Sequence, residues 1–174
     1  MTEVVKAIHQ HLAVVEELQI EADLWDAAHG FEPMSFRHTA AERRAFIAEH
    51  VVAGRQYLIH ENGRWVGSFR VSFDDTRFWG PAGTDGLAGY LHGIRRRLDP
   101  DLRGWGLKIL AIVENHILAH GKQLARLDCR AENERLRRYY SDAGYETRGE
   151  VNLENGWRSI KFEKSLTTPS RQVL

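Results

Sequence analysis

The chain has 174 residues, enough for one domain that buries roughly 70% of its unfolded surface without disulfide or metal staples. Lys and Arg number 24 and Asp and Glu number 24, so the formal net charge is zero, which argues against a protein that coats polyanions or anionic membranes. Gly 15 and Pro 4 are ordinary shares, and the single cysteine, Cys129, can make neither an internal disulfide nor a cysteine-cluster zinc site.

A β-prone run, Glu3 to Ile8, leads into an amphipathic helix from about Leu12 to Trp25, with Leu12, Val15, Leu18, Ala22 and Trp25 on one face. A polar and aromatic connection, Ala28 to His38, follows. Thr39 with Glu42 forms a capping-box pattern, which predicts a second helix ending near Gly54. Gln56 to His60 and Trp65 to Phe73 read as strands joined at Asn62-Gly63, the pair that type I′ hairpin turns favour. Asp74 to Gly86 is turn-rich and predicts a surface loop, and Gly89 to Leu98 a further strand. Leu107 to His120 is an amphipathic helix stopped by Gly121, Leu124 to Arg130 a strand, and Glu132 to Ala143 a helix ended by Gly144. Glu146 to Leu153 and Trp157 to Lys164 flank Glu154-Asn155-Gly156 as a closing hairpin. The order is β-α-α-β-β-β-α-β-α-β-β, an α/β fold whose hairpin joins call for a mixed sheet. No stretch nears the ~18 apolar residues of a membrane span, and Met1 to Lys6 lacks the pattern of a secretory signal. Together with the lone cysteine this sets the expectation of a cytoplasmic protein.

The segment Asp99 to Lys108 carries the chemistry. Two glycines and an arginine at a helix start form a phosphate cradle, because glycine lets the backbone approach closely and the first helical N–H groups point outward with partial positive charge. Such a stretch can also simply turn the chain. On the next helix, Asn133 and Tyr140 are seven residues apart, about 700° of rotation, so they share a face within about 20° and lie roughly 10 Å apart along the axis. Here too a plainer reading stands: Leu136, Tyr140 and Ala143 as core, and Asn133 as a polar end residue.

Taken together, these segments resemble the GCN5-related N-acetyltransferase (GNAT) family. The family's phosphate-loop motif is Q/R-x-x-G-x-G/A. Arg103-Gly104-Trp105-Gly106-Leu107-Lys108 matches it at Arg103 and Gly106 and departs from it at Lys108. Asn133 to Tyr145 matches the family's N-x6-Y-x3-G-F/Y segment in full. The resemblance covers about residues 3–166. It implies a single-domain GNAT-like fold over 1–166, a mixed, mostly antiparallel sheet with splayed parallel strands four and five flanked by helices, and a disordered tail at 167–174. It also implies acetyl-CoA as co-substrate, with no metal. Backbone N–H groups of Arg103, Gly104, Trp105, Gly106, Leu107 and Lys108 would hold the pyrophosphate, the pantetheine arm would run beside Arg97 and Leu98, Asn133 would bond that arm, and Tyr140 would sit near the sulfur.

The chemistry implied is direct attack of a neutral primary amine on the thioester in a ternary complex, with an N–H from Arg96 to Leu98 stabilising the oxyanion. If the leaving thiol resembles cysteine at ~8.5 and Tyr140 titrates near ~10, full proton donation is uphill by roughly 2 kcal/mol, so hydrogen bonding to the sulfur is equally plausible. His92, which titrates in the useful range, is the candidate base; a partly buried histidine bonded to backbone is the alternative. Strand alternation places His92 with Ile94, Arg96 and Leu98, an odd position for Arg96.

Other signals carry less. Gly104-Trp105-Gly106 with Asp128 lacks the third glycine of a dinucleotide fingerprint. His116 and His120 read as an exposed helical pair without a zinc-hydrolase glutamate, and no G-x-S-x-G elbow is present. Cys129 reads as a small core residue. The basic runs Arg95 to Arg97 and Arg135, Arg137, Arg138 would suit a nucleic-acid or peptide-binding module, which, with non-catalytic CoA binding, is the alternative function. The partners implied are a small-molecule amine or a protein amino group, with neither nucleic acid nor membrane. Dimers are common among relatives, so a homodimer is within the expectation. Trp25, Asp26, Phe31, Phe36, Asp74, Asp75, Phe78 and Trp79 are candidates to shape the acceptor pocket, acidic groups beside aromatic faces suiting a cationic amine.

Overall fold

The computed structural model describes residues 1–166; the expected tail at 167–174 lies outside the described residues. Its elements are β1 (Thr2–Lys6), α1 (Leu12–Ala28), α2 (Ala40–Val52), β2 (Gln56–Glu61), β3 (Arg64–Ser72), α3 (Thr76–Trp79), β4 (Ala88–Arg96), α4 (Trp105–Ala119), β5 (Leu124–Arg130), α5 (Glu134–Asp142), β6 (Glu146–Asn152) and β7 (Arg158–Ser165). The seven strands form one sheet in the order β1-β2-β3-β4-β5-β7-β6. The pairs β1–β2, β2–β3, β5–β7 and β6–β7 are antiparallel, and β4 pairs with β5 in parallel, in a register that covers Ala88↔Leu124 to Tyr90↔Arg126 only, although β4 runs on to Arg96 and β5 to Arg130. This is the mixed sheet that the resemblance implies, and its parallel strands lose their pairing partway.

The fold divides into two compact units, Met1–Val71 with His92–Leu110, and Ser72–Leu91 with the chain from Ala111 onward. In the first unit the β1-β2-β3 meander is built on the Asn62-Gly63 turn, whose φ values of 50° and 86° are those a type I′ turn needs. Thr39 caps α2 as its sequence requires: its Oγ1 accepts from the Glu42 N–H at 3.2 Å, and its own N–H donates to Glu42 Oε2 at 2.6 Å. Ala7, Val15, Leu18, Ile47, Val51 and Leu58 form a buried cluster in which α1 and α2 contribute their apolar faces.

In the second unit β7 lies between β5 and β6, and Phe162, Leu127, Val113 and Ile117 are buried. Helix α4 packs closely on β4: a Cβ at Gly89 would meet Ile117 at 2.6 Å. The segment from Asp74 to Gly86 lies largely at the surface, as its composition predicts, but it is organised into short helical turns and buries Trp79. Asp75 Oδ1 accepts from the Phe78 N–H and starts α3, and a 3-10 turn follows at Gly80–Thr84. Trp79 is buried there under the Arg126 guanidinium, 4.8 Å from its ring centre. Arg126 bonds the Ala82 carbonyl and the Tyr90 hydroxyl, each at 2.9 Å, and pairs with Asp85 at 2.8 Å and Glu163 at 2.7 Å. Turn-forming residues thus cover a buried ion network whose partners are too distant in sequence to be seen there.

Among the described residues no helix is long and apolar enough to cross a membrane, and no group of His, Cys, Asp and Glu could hold a metal ion.

Candidate functional site

In the first unit, a 3-10 turn at Pro100–Leu102 buries Leu102 and delivers an extended Arg103 to Gly104, which has φ 85°, immediately before α4. That left-handed conformation strains any residue with a Cβ, and open space surrounds the glycine. Arg103 and Gly104 are exposed, and Trp105 and Gly106, which open α4, are partly exposed. Lys108, where the chain departs from the family motif, turns elsewhere: its Nζ is 3.6 Å from the centre of the Trp105 ring and 3.6 Å from Glu61 Oε1.

Beyond β4, Arg97 and Leu98 are tied to α1. The Arg97 N–H donates to the Val66 carbonyl at 2.8 Å, its guanidinium pairs with Glu17 at 2.7 Å and Glu21 at 3.4 Å, and the Leu98 N–H donates to Glu21 Oε1 at 2.5 Å. Hydrogen bonding by Arg97 holds Glu17 below the ordinary carboxylate range. A ligand carbonyl can take the Leu98 N–H only if Glu21 releases it.

In β4 the backbone takes a left-handed conformation at Gly93, where φ is 54°. Past Gly93, Arg95 reaches Asp23 at 3.7 Å and Arg97 reaches Glu17 and Glu21, so both point to α1. Arg96, which alternation sets beside Ile94 and Leu98, donates to the Arg97 carbonyl at 2.9 Å. His92 precedes Gly93. Burial, followed by the charge of Arg70, pushes its pKa down to about 3.

In the second unit, Asn133 caps α5, its Oδ1 accepting from the Leu136 N–H at 3.0 Å, and it is buried. Its plain structural reading is therefore realised, and Nδ2 is the donor that the cap does not use. Tyr140 is half-buried, with ring centres of Tyr139 at 5.4 Å, Phe162 at 5.8 Å and Tyr145 at 6.0 Å. Leu136, expected as core, is exposed. Tyr145 donates to Glu114 at 3.0 Å and Lys164 pairs with the same carboxylate at 3.0 Å, which ties the end of α5 to α4 and β7.

Several set-aside residues also find their places. Cys129 is buried and its thiol is pushed up to about 12 by desolvation, as a small core residue should be. His116 is half-buried rather than exposed, with its pKa lowered to about 4 by burial and by His120. Trp25 stacks on His29 at 3.7 Å, and Trp79 lies under Arg126, so neither aromatic is open in the way the acceptor reading supposed.

No family model and no curated protein matches the chain. Solved structures do. A GNAT-family acetyltransferase from Listeria monocytogenes is 21% identical, with 95% of each chain covered and a TM-score of 0.74. A putative acetyltransferase from Salmonella typhimurium, solved with its cofactor acetyl-CoA, is 15% identical over 97% of this chain and 95% of that one, with a TM-score of 0.63. An aminoglycoside acetyltransferase in complex with coenzyme A is 19% identical, with 95% of each chain covered and a TM-score of 0.69. The chain has the fold of the GNAT-family acetyltransferases.

Proposed function

We propose that this protein is an acetyl-CoA-dependent N-acetyltransferase that moves the acetyl group to a primary amine by direct attack in a ternary complex. The observation that carries the reading is Gly104 at φ 85°, exposed and directly ahead of α4, in the loop whose sequence resembles the family's phosphate motif at Arg103 and Gly106. Backbone N–H groups of Arg103 to Lys108 hold the pyrophosphate, and Arg97 and Leu98 flank the pantetheine arm once Glu21 yields the Leu98 N–H. Asn133 offers Nδ2 to the arm.

Bound acetyl-CoA supplies the thioester carbonyl. As the amine attacks, an N–C bond forms and the C–S bond breaks. Tyr140 donates a hydrogen bond to the departing sulfur, which leaves as the thiolate; the proton lost by the amine passes to water, and water in turn protonates the thiolate. His92 is too weak a base to take that proton. Between an alkyl ammonium at ~10.4 and a ring at about 3, full transfer is uphill by on the order of 10 kcal/mol. The neutral ring instead accepts a hydrogen bond from an amine that arrives already deprotonated.

The test is free-thiol release from acetyl-CoA across a panel of primary amines. Amine-dependent thiol release with matching N-acetyl product supports the reading; acetyl-CoA that binds but is never consumed overturns it in favour of non-catalytic CoA binding.

A further inference from the structure

Around Gly93 the first unit gathers more cations than paired carboxylates. Arg70, on β3, has its guanidinium carbon 4.6 Å from the centre of the Phe46 ring on α2, and it lies along Gly93, where a Cβ would meet Nη2 at 3.3 Å and Nε at 3.5 Å. Among the described residues no carboxylate pairs with Arg70, and burial with the nearby charge of Arg95 lowers its pKa to about 10. Arg95 Nε is buried without a hydrogen-bond partner. The acid beside it, Asp23, is 3.7 Å from Arg95 Nη2 and also accepts the Ser35 hydroxyl. His50, tilted on Phe46 at 4.4 Å, and His92 both have lowered pKa values from burial and then the charge of Arg70, with Arg55 acting the same way and Glu49 opposing it at His50.

A guanidinium withdrawn from water is costly unless an anion and hydrogen bonds compensate. Apolar replacements of such charges are often neutral or stabilising, so packing on Phe46 does not by itself account for Arg70. The cluster occupies the residues of β4 just before Arg96 to Leu98, so it lies beside the stretch assigned to the acetyl group.

We infer that Arg70 and Arg95, around Gly93 in β4, bind an anionic group on the acceptor, so that the substrate is an amine carrying its own carboxylate or phosphate rather than a polycation. This rests on the acetyl-transfer reading above. Planar guanidinium groups suit either anion, because both accept paired N–H bonds.

The experiment measures kcat/KM for thiol release by the full chain, corrected for the neutral-amine fraction. One arm compares common L-amino acids with their C-terminal amides, and the other compares O-phosphoethanolamine with ethanolamine. A preference of tenfold or more for the charged member is expected, the arm that shows it naming the anion. In Arg70→Gln that ratio should fall about 10- to 100-fold, and Arg70→Lys should recover part of it. Equal values for charged and uncharged members, turnover of uncharged amines only, or a loss in Arg70→Gln that is the same for both members overturns the inference. If the variant does not fold, the wild-type preference decides. Failure of acetyl-CoA to bind in calorimetry is distinct, since it removes the acetyl-transfer reading itself.

Discussion

Lys108 holds its ammonium 3.6 Å from the centre of the Trp105 ring and 3.6 Å from Glu61 Oε1, within the very turn that would cradle a diphosphate. A cation already engaged by a carboxylate and an aromatic face adds little to an anion site served by main-chain amides. Lys108→Ala should therefore change the acetyl-CoA dissociation constant by less than about threefold, measured by calorimetry. A tenfold loss would make Lys108 a phosphate ligand.

Tyr140 packs 5.8 Å from Phe162, and phenylalanine preserves that contact while deleting the hydroxyl. Tyr140→Phe should lower kcat at least tenfold, in the range of general acid–base effects, and leave acetyl-CoA affinity within a factor of about two. Equal turnover of the two proteins would remove Tyr140 from the chemistry.

The histidines set the acid limb of stability. His92 is depressed to about 3, and His50 and His116 to about 4, against an ordinary value near 6.5. The unfolded chain takes up these protons below pH ~6.5 while the folded chain does not, so the stabilisation is present above that pH and is lost as pH falls toward 4. Chemical-denaturation midpoints should drop steadily from pH 7 to 4.5. Because His92 stays neutral from pH 5 to 8, His92→Ala should keep the wild-type pH profile of kcat/KM; a vanished limb near pH 6.5 would show that His92 titrates there after all.

Arg126 is almost wholly buried and holds Asp85, Glu163, Tyr90 and Ala82 together. Removing it takes the cation from Asp85 and leaves Glu163 only Arg148, at 3.1 Å, which for charged hydrogen bonds at a part-exposed site costs about 2–3 kcal/mol. Arg126→Met should lose that much in equilibrium urea unfolding. A loss below about 1 kcal/mol would mean that water takes over the network.

Much of this fold is written in local signals. The Thr39 capping box, the Asn62-Gly63 turn and the Leu124–Arg130 strand occur where the sequence places them, because each depends on neighbours within a few residues. Helix α1 runs on to Ala28, three residues past the predicted Trp25, with no breaker to stop it. What could not be read was non-local. The left-handed backbone at Gly93 and the pairing of Arg95 and Arg97 with acids of α1 were hidden, since a lone glycine in a strand does not announce a positive φ. The Asp74 to Gly86 segment hides Trp79 because of Arg126, on a strand far along the chain. In the candidate site, Gly104 and Asn133 were legible from spacing. The hold of Glu21 on Leu98 and the uncompensated Arg70 were not, since each needs α1 or α2 brought against the sheet.

The central claim is that main-chain amides at the start of α4 bind the diphosphate of acetyl-CoA. Titration of isotope-labelled protein with acetyl-CoA, followed by backbone amide chemical shifts, tests it most directly. Saturable shifts that are largest at Gly104 to Lys108 are predicted, with 3′-dephospho-acetyl-CoA producing the same pattern. Saturation elsewhere with those amides unmoved, or no shift at millimolar acetyl-CoA, would contradict it.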